Sequence, residues 1–265
     1  MKKRKNNSTV LDRLLNKLWR LKTLYALTLL FLLVWYPSSV IDGMRNSDQQ
    51  EEVKVRIPLK YKTHGIDVSH HNGDIDWDKV SSYNKHRSSV RFCFVKATEG
   101  IDFVDKRFQD NWFALGEKDI RRGAYHFFNP QTDPRLQALN FILNVDLEKG
   151  DLAPVLDWET LGYGRNRRQI VQNVGRWLEI IEKHYGIKPI IYTNKHIYLR
   201  YVRDNFPDYP LWISQYEVPQ LEGYDLSKVY FWQHSMKGKL EGIESSVDFN
   251  VFMRDDFEIE RLTLR

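Results

Sequence analysis

The sequence predicts an α/β fold, an irregular (β/α) barrel that follows a single N-terminal transmembrane helix. From residue 64 onward, eight short apolar runs alternate with segments of helical spacing, as expected for parallel strands covered by helices. The helical segments occur only between the earlier runs, because the later intervals are too short to hold a helix. A doubly wound open sheet uses the same alternation of elements and is the alternative arrangement.

The positive charge of the chain is concentrated in its first segment. The 265 residues have a net charge of +5, yet residues 1–22 hold eight basic residues and one acidic residue, so the remainder is slightly acidic. A body without an excess of basic residues argues against nucleic acid as a partner, because binding phosphates requires a basic face. With 42% hydrophobic residues and one cysteine, the composition also excludes disordered and disulfide-stapled chains.

An apolar segment follows the basic tail. Residues 24–41 are 18 consecutive uncharged residues, about the minimum that crosses a bilayer. We interpret residues 23–41 as an uncleaved signal anchor and residues 1–22 as its cytoplasmic tail, because cytoplasmic flanks carry the excess of Lys and Arg. The rest of the chain is then extracytoplasmic, in the periplasm or cell envelope. A cleaved signal peptide and a buried core helix are the alternatives.

The polar residues 42–62 are interpreted as a linker, and the folded domain is predicted to span residues 63–265. Cys93 lies in an apolar run and is predicted to be a core residue. The eight predicted strands cover residues 65–68, 91–97, 123–128, 153–157, 189–193, 211–215, 230–234 and 246–251.

Helices are predicted between the second and the sixth of these strands. Asp133 followed by Pro134 is typical of a helix start, which predicts a helix over 134–144. The longest predicted helix covers 166–185, where apolar residues recur at helical spacing before Gly186, a typical C-terminal stop. Shorter helices are predicted over residues 106–116 and 195–203.

Carboxylates lie at the ends of several predicted strands. Active sites of β/α barrels form at the C-terminal ends of the strands, so we expect Asp67, Asp157, Glu159 and Asp248 to meet at one rim. Taken alone, Asp67 is also typical of a cap or turn, and a D-x-E pair is also typical of a solvated loop. Asp248 interrupts an apolar run, where a charge needs a partner or a function.

Asp157 and Glu159 are the pair of acids that most specifically indicates catalysis. Two residues apart on an extended segment, their side chains point to the same side. Repulsion between two such carboxylates raises the pKa of one of them. A carboxylic acid that keeps its proton near neutral pH can protonate a glycosidic oxygen, while an ionised neighbour stabilises positive charge.

Aromatic and amide side chains accompany the acids at the same strand ends. They are Tyr125, Tyr192, Trp212, Gln215, Trp232 and Gln233. The adjacent His70 and His71 raise the possibility of a metal site, but no metal-ligand spacing supports one, and we expect neither a metal nor a cofactor. A Ser-His-Asp triad has no support either, because the G-x-S-x-G motif is absent.

Taken together and in order, these motifs resemble the glycoside hydrolase family 25 lysozymes, the Chalaropsis-type N-acetylmuramidases. The resemblance extends over residues 64–252, nearly the whole predicted domain. It is carried by eight motifs, HGIDVSHHNGDIDW, FVKATEG, RGAYHFF, APVLDWE, IIYTN, LWISQY, FWQHS and VDFNVF.

The resemblance implies a flattened (β/α)5(β)3 TIM-like barrel and cleavage of the β-1,4 bond between N-acetylmuramic acid and N-acetylglucosamine in peptidoglycan. By motif, Glu159 corresponds to the general acid. Asp157 corresponds to its partner, which stabilises charge or orients the acetamido group of the substrate. Asp67 and Asp248 complete the acidic cluster. The nucleophile, a protein carboxylate or the substrate's own acetamido group, stays open.

By the same resemblance, Tyr125 and Tyr192 line the subsite of the reacting sugar, and Trp212 and Trp232 stack on sugar faces. The implied partners are peptidoglycan glycan strands, with the membrane contacted through the N-terminal helix, and we expect a monomer. Trp158 departs from the family pattern, in which an aliphatic residue commonly separates the two acids. Two alternative functions stay open, an inactive wall-binding protein and a hydrolase of another amino-sugar polymer.

Overall fold

The computed structural model describes residues 58–85, 88–163 and 166–265, which belong to one compact unit, Val55–Arg265. The predicted cytoplasmic tail, signal anchor and most of the linker lie outside the described residues. Within the described part of the chain, no helix is both long enough and apolar enough to cross a bilayer. Packing begins before the predicted domain start at residue 63, because the ring of Tyr61 meets Trp232 edge-on at 6.4 Å.

The described residues form one sheet with ten strands. They are β1 (His64–Val68), β2 (Asn84–Lys85), β3 (Ser88–Glu99), β4 (Phe103–Val104), β5 (Arg121–Phe127), β6 (Val155–Trp158), β7 (Ile190–Asn194), β8 (Leu211–Ser214), β9 (Val229–Leu240) and β10 (Ile243–Phe252). Eight of them close into a barrel in the order β1–β3–β5–β6–β7–β8–β9–β10, because β1 pairs with both β3 and β10. The predicted barrel is therefore confirmed, and the doubly wound open sheet is excluded.

Neighbouring barrel strands from β1 to β9 run parallel, whereas β10 runs antiparallel to both of its neighbours. The strands β9 and β10 extend beyond the predicted runs as a hairpin whose polar side chains are partly exposed. This extension was not predicted, because its residues lack the continuous apolar pattern of the buried strands.

Helices follow the first five barrel strands, which gives the expected (β/α)5(β)3 arrangement. They are α1 (Trp77–Ser82), α2 (Phe108–Gly116), α3 (Pro134–Asn144), α4 (Arg167–Tyr185) and α5, which consists of Lys195–Ile197, the π-turn Tyr198–Val202 and Arg203–Asn205. Helix α1 was not predicted, since six residues with only Trp77 and Val80 buried are too few to show a helical period.

The predicted helix signals act as expected. The side chain of Asp133 accepts a hydrogen bond from the Arg135 backbone N–H, and Pro134 occupies the first turn of α3. Helix α4 ends at Gly186, whose φ of 72° is the left-handed conformation that glycine adopts without strain. The buried face of α4 consists of Ile170, Val174, Trp177, Leu178 and Ile181.

Alternation along the strands separates two apolar layers. Side chains that point into the barrel fill its lower part, where Phe94 stacks on Trp212 with ring centroids 4.5 Å apart. The intervening side chains, including Cys93, point outward and pack beneath the helices. The predicted burial of Cys93 is confirmed. Polar residues occupy the interior only above the aromatic layer, at the rim where the parallel strands end.

Candidate active site

Four carboxylates meet at the upper rim of the barrel. Asp67 on β1 and Asp248 on β10 are direct cross-strand partners, Asp157 lies on β6, and Glu159 follows that strand. All four line a cavity of ≈ 360 Å³, which we call the acidic cleft. A larger groove of ≈ 660 Å³ lies elsewhere and is lined by none of the predicted site residues. The structure thus brings the four predicted acids together.

Asp248 reaches the rim by a different route from the other acids. The rule that directed attention to it, that sites form at the C-terminal ends of strands, does not hold for β10, which runs in the opposite direction. Asp248 lies in the middle of the long strand Ile243–Phe252, where the register sets it opposite Asp67. The residue was correctly placed at the rim, but the reason was wrong.

Gln233 on β9 connects the acids to two tyrosines. Its Nε2 donates hydrogen bonds to Asp67 Oδ2 at 2.8 Å and to Asp248 Oδ2 at 3.1 Å. Its Oε1 accepts hydrogen bonds from the hydroxyls of Tyr192 and Tyr216, both at 2.7 Å. Because all four bonding positions of the amide are used, its orientation is fixed. Gln233 therefore holds the carboxylates and the tyrosine hydroxyls in one network.

Asn250 extends this network into the barrel. Its Nδ2 donates to Asp67 Oδ2 at 2.7 Å, and its Oδ1 accepts the indole N–H of Trp212 at 2.8 Å. Asp67 thus accepts two amide hydrogen bonds on one oxygen while it lies opposite a second carboxylate. The indole of Trp212 supports the floor of the cleft through Asn250.

Burial governs the protonation of Asp67 and Asp248. Burial and the charge of Asp248 raise the pKa of Asp67 well above its usual range, against the opposing effect of the Asn250 and Gln233 amides. Burial and the charge of Glu159 raise the pKa of Asp248 to about 6. The two acids are therefore not both ionised near neutral pH, as expected for carboxyl groups that face each other.

The pair Asp157 and Glu159 behaves in the same way. Burial and the charge of Glu159 raise the pKa of Asp157 well above its usual range, and Asp157 Oδ1 is buried without a hydrogen-bond partner. Burial also raises the pKa of Glu159, while the Tyr192 hydroxyl and the charge of Lys96 oppose the increase. The predicted repulsion within this pair is present, and the cleft retains protons at a pH where ordinary carboxyl groups are ionised.

Two predicted tyrosines line the cleft. Tyr125 on β5 and Tyr192 on β7 both point into it. Burial, followed by the charges of the nearby carboxylates, raises the pKa of each hydroxyl well above its usual range. Both hydroxyls therefore stay protonated; the Tyr192 hydroxyl donates its hydrogen to Gln233 Oε1, and the Tyr125 hydroxyl is available as a donor in the cleft.

Three other predicted binding residues have different environments. Trp212 lines the floor of the cleft but is only 2% exposed, with one face against Phe94. Trp232 points out of the barrel, is 1% exposed and donates its indole N–H to the Gln215 carbonyl at 2.7 Å. Gln215 does not line the cleft, and its own side-chain Oε1 is buried without a partner.

These placements correct the expectation that Trp232 and Gln215 contact sugar. Adjacent residues of a strand point to opposite faces. Since Gln233 points into the barrel, its neighbour Trp232 must point outward. The same alternation places Trp158 outside, where it is fully buried and its indole donates to the Thr160 carbonyl at 2.9 Å. Trp158, which stands where the family commonly has an aliphatic residue, therefore alters the packing outside the barrel and does not alter the cleft.

Several residues of the cleft were missed by sequence reasoning. Lys96 on β3, Asn250 on β10 and Tyr216 after β8 bond to the predicted residues or lie beside them. Strand alternation could have identified Lys96 and Asn250. Lys96 is two residues after the interior Phe94, and Asn250 is two residues after Asp248, so each points to the same face as that residue. No comparable pattern marks Tyr216, which lies in a loop.

The two histidines do not form a metal site with these acids. His70 Nδ1 lies 2.7 Å from Asp105 Oδ2, which also accepts the His70 backbone N–H, so this contact shapes the loop after β1. His71 lines the edge of the cleft. Among the residues whose positions are described, no group of three or more His, Cys, Asp or Glu side chains is arranged to hold a metal ion.

Comparison of the sequence with known families matches residues 66–243 to the family described as glycosyl hydrolases family 25. Among curated proteins, YegX of Escherichia coli K12 is 39% identical over 198 residues, which cover 75% of this chain and 72% of YegX. Lysozyme M1 of Streptomyces globisporus is 29% identical over 206 residues, covering 71% of this chain and 67% of its own length.

Comparison with solved structures gives the same result for the fold. The structure of a family 25 glycosyl hydrolase from Bacillus anthracis superposes with a TM-score of 0.73 and 34% sequence identity. The alignment covers 81% of this chain and 99% of the B. anthracis chain, which therefore consists almost entirely of the matched unit.

Proposed function

Because this chain belongs to glycosyl hydrolase family 25, and is therefore a glycoside hydrolase, we propose that it cleaves the β-1,4 bond between N-acetylmuramic acid and N-acetylglucosamine in peptidoglycan. The observation that carries the proposal is the acidic cleft, in which four carboxylates, two tyrosines and Gln233 form one site. The lysozyme name of the Streptomyces relative supports peptidoglycan as the substrate class.

Glu159 is the proposed general acid. Burial raises its pKa, which favours the protonated form that a general acid requires, and it is less deeply buried than Asp157, so a sugar in the cleft can reach it. Transfer of this proton to the glycosidic oxygen lets the leaving sugar depart as an alcohol while positive charge develops on the ring that remains. Ionised carboxyl groups in the cleft stabilise that charge.

Asp157 is the proposed partner of this acid. Its Oδ1 is buried without a partner, and a substrate N–H donor, such as that of an acetamido group, supplies the missing hydrogen bond. Tyr125 and Tyr192 line the same space and position the reacting sugar, Tyr125 through its free hydroxyl donor and Tyr192 through the hydroxyl that Gln233 holds in place. A carboxylate nucleophile and attack by the acetamido group of the substrate are both compatible with this role.

The location of the enzyme is a separate proposal. The uncharged run 24–41 behind a basic tail supports a signal anchor that holds the domain outside the cytoplasm, beside its own cell wall. Such tethering suits remodelling of that wall more than attack on competitors. A reporter fused after residue 50 should be extracytoplasmic, and a reporter that stays in the cytoplasm rejects the anchor.

Glu159→Gln is the direct test of the proposed acid. The variant keeps the shape of the side chain but cannot donate the proton, so we expect hydrolysis of purified peptidoglycan to fall by at least about 10³-fold. Glu222→Gln, the same change at an exposed glutamate, is the control and should keep wild-type activity. Circular dichroism should show both variants folded.

The two alternative functions give different outcomes in this assay. If wild type, control and Glu159→Gln are all folded and inactive on peptidoglycan but bind it, the chain is a wall-binding protein. If wild type is inactive on peptidoglycan but hydrolyses another amino-sugar polymer, the substrate class is wrong while the chemistry stands. Full activity in Glu159→Gln rejects Glu159 as the acid.

A further inference from the structure

Lys96 is the only lysine or arginine among the described residues that line the acidic cleft. It lies on β3, its side chain points into the barrel, and it is 8% exposed. A buried ammonium requires compensation, which here comes from its own strand and from two rings. Its Nζ lies 2.6 Å from Glu99 Oε2, 5.5 Å from the ring centroid of Phe103 and 5.0 Å from that of Phe127.

Lys96 lines the same cleft as the catalytic pair, Asp157 and Glu159. Phe127, whose ring lies under the ammonium, is the cross-strand partner of Asp157 on β6. Asp157 Oδ1, in the same cleft, is buried and no protein donor bonds it. Lys96 is therefore held near Asp157 and Glu159 but bonded to neither, since its short ion pair is with Glu99.

The groups that surround Lys96 are mostly acidic. Glu99 lies on its own strand and pairs with it, and the charge of Lys96 also acts on His126 of β5. The other titratable groups that line the same cleft are Asp67, His71, Tyr125, Asp157, Glu159, Tyr192 and Asp248. One cation thus faces a cluster of carboxyl groups that cannot all be ionised. A fixed charge in such a cluster determines how many protons the cluster retains.

We propose that Lys96 is a positioning residue that acts through Asp157 and Glu159, keeping this pair at one shared proton at working pH, and that Glu99 sets the strength of its effect. This inference deepens the proposed function and rests on it for its kinetic test. With one shared proton, one carboxyl group can act as the acid while the other is ionised. Without the ammonium, the pair retains both protons to higher pH and its ionised member is lost.

The directions of the pKa shifts agree with this arrangement. The charge of Lys96 lowers the pKa of Asp157 and of Glu159 against the larger opposing effect of burial. The charge of Glu99 raises the pKa of Asp157. Lys96 and Glu99, although joined in one ion pair, therefore have opposite effects on the same carboxyl group.

This opposition provides the test. The pH dependence of peptidoglycan hydrolysis is measured for the full chain and for Lys96→Met, Lys96→Arg and Glu99→Gln. We expect Lys96→Met to move both limbs of the profile upward by about one pH unit, because both carboxyl groups lose a nearby cation. Glu99→Gln should move the profile downward by a smaller amount, and Lys96→Arg should restore the wild-type position.

Lys79→Met is the matched control. Lys79 also pairs with an acid three residues away, Asp76 at 2.9 Å, but on the exposed surface. Its profile should coincide with that of wild type. A merely structural role for Lys96 predicts lower activity in both Lys96→Met and Glu99→Gln without shifts of opposite sign, and that result overturns the proposal.

A second measurement does not need substrate. Carboxyl carbon NMR of the full chain labelled at Asp and Glu, with signals assigned by Asp157→Asn and Glu159→Gln, reports the ionisation of the pair. The midpoint for Asp157 should rise in Lys96→Met and fall in Glu99→Gln. Unchanged midpoints reject the inference even if hydrolysis is observed, whereas shifted midpoints in a chain inactive on peptidoglycan reject only the proposed function.

Discussion

At the scale of single residues, Asp67 shows that assembling the acidic cleft lowers the stability of the fold. It is buried, lies opposite Asp248 and is bonded only by the amides of Gln233 and Asn250, with no cation among its hydrogen-bond partners. Its raised pKa means that the folded protein binds its proton more tightly than the unfolded chain does. Ionised Asp67 therefore opposes folding, as is common for groups selected for activity.

Asp67→Asn should stabilise the protein and reduce its activity. Because the folded pKa of Asp67 is raised, the contribution of this residue to stability is complete below the unfolded pKa of about 3.9 and is lost as pH rises through the folded value. The asparagine removes this loss, so we expect a gain of about 1–2 kcal/mol in the free energy of unfolding at pH 7 that disappears near pH 3. Urea denaturation at both pH values measures it, and equal gains at both contradict the electrostatic cause.

How far residues could be predicted from sequence depended on strand alternation. Asp67, Asp157, Glu159, Tyr192 and Gln233 were found because they lie at or near the ends of apolar runs, and Tyr125 and Asp248 because they are polar residues within such runs. Trp232 was predicted to contact sugar because it is aromatic, although its position next to Gln233 places it on the opposite face of the strand. Lys96 was missed although it lies near the end of the predicted strand 91–97, because attention went to acids and aromatics, and its pairing with Glu99 depends on packing that the sequence does not show.

At the scale of elements, His126 connects a strand to its covering helix. It points outward from β5, where its Nδ1 accepts a hydrogen bond from the Thr98 hydroxyl at 2.7 Å and its Nε2 donates to Gln137 Oε1 of α3 at 3.1 Å. The ring also stacks on Trp177 of α4. Neutral imidazole fits these contacts, since Gln137 Oε1 only accepts and Nδ1 must receive the Thr98 proton.

His126 should make the fold sensitive to acid. Burial lowers its pKa to about 4, so between pH 6.5 and 4 the unfolded chain binds a proton that the folded chain excludes. Its contribution to stability is complete above pH 6.5, and about 3 kcal/mol is lost as pH falls toward 4. We expect His126→Gln to be less stable than wild type at pH 7 and to show a smaller loss over this interval. Equal losses of stability in wild type and His126→Gln between pH 6.5 and 4, measured by denaturation, contradict this role.

Two glycines, one in a strand and one in a helix, differ in the space available for a side chain. A Cβ on Gly65 of β1 would lie 2.5 Å from both the ring and the carbonyl of Phe92, so Gly65→Ala should cost about 1–3 kcal/mol. A Cβ on Gly175 of α4 would lie 3.5 Å from its nearest neighbour, an atom of Phe206. Gly175→Ala should therefore raise the free energy of unfolding by about 0.5–1 kcal/mol. Thermal denaturation of both variants compares them, and a stable Gly65→Ala contradicts the close approach of β1 and β3.

The elements themselves were largely predictable. Helices α3 and α4 have strong start and stop residues and were located to within one residue. Helix α1 was not, because a one-and-a-half-turn helix has no readable period. The reversed direction of β10 could not be derived from local pattern, since an antiparallel strand closed by a hairpin and a parallel one look alike along a single apolar run.

At the scale of the whole molecule, the chain combines a complete barrel with a basic, apolar N-terminal segment. The barrel positions its acids above a floor of packed aromatics, so the site depends on closure of the sheet through β1, β3 and β10. The matched B. anthracis chain consists almost entirely of such a barrel. The activity is therefore expected to reside in residues 50–265, and the N-terminal segment to determine where it acts.

The central claim is the identity of the bond that is cut. Purified residues 50–265 are incubated with bacterial peptidoglycan, the products are reduced with borohydride, and the new ends are identified by mass spectrometry. We expect N-acetylmuramitol ends that disappear in Glu159→Gln. N-acetylglucosaminitol ends would show that the neighbouring bond is cut and contradict the proposed specificity, and the absence of new ends from the folded wild-type domain would contradict the proposed activity.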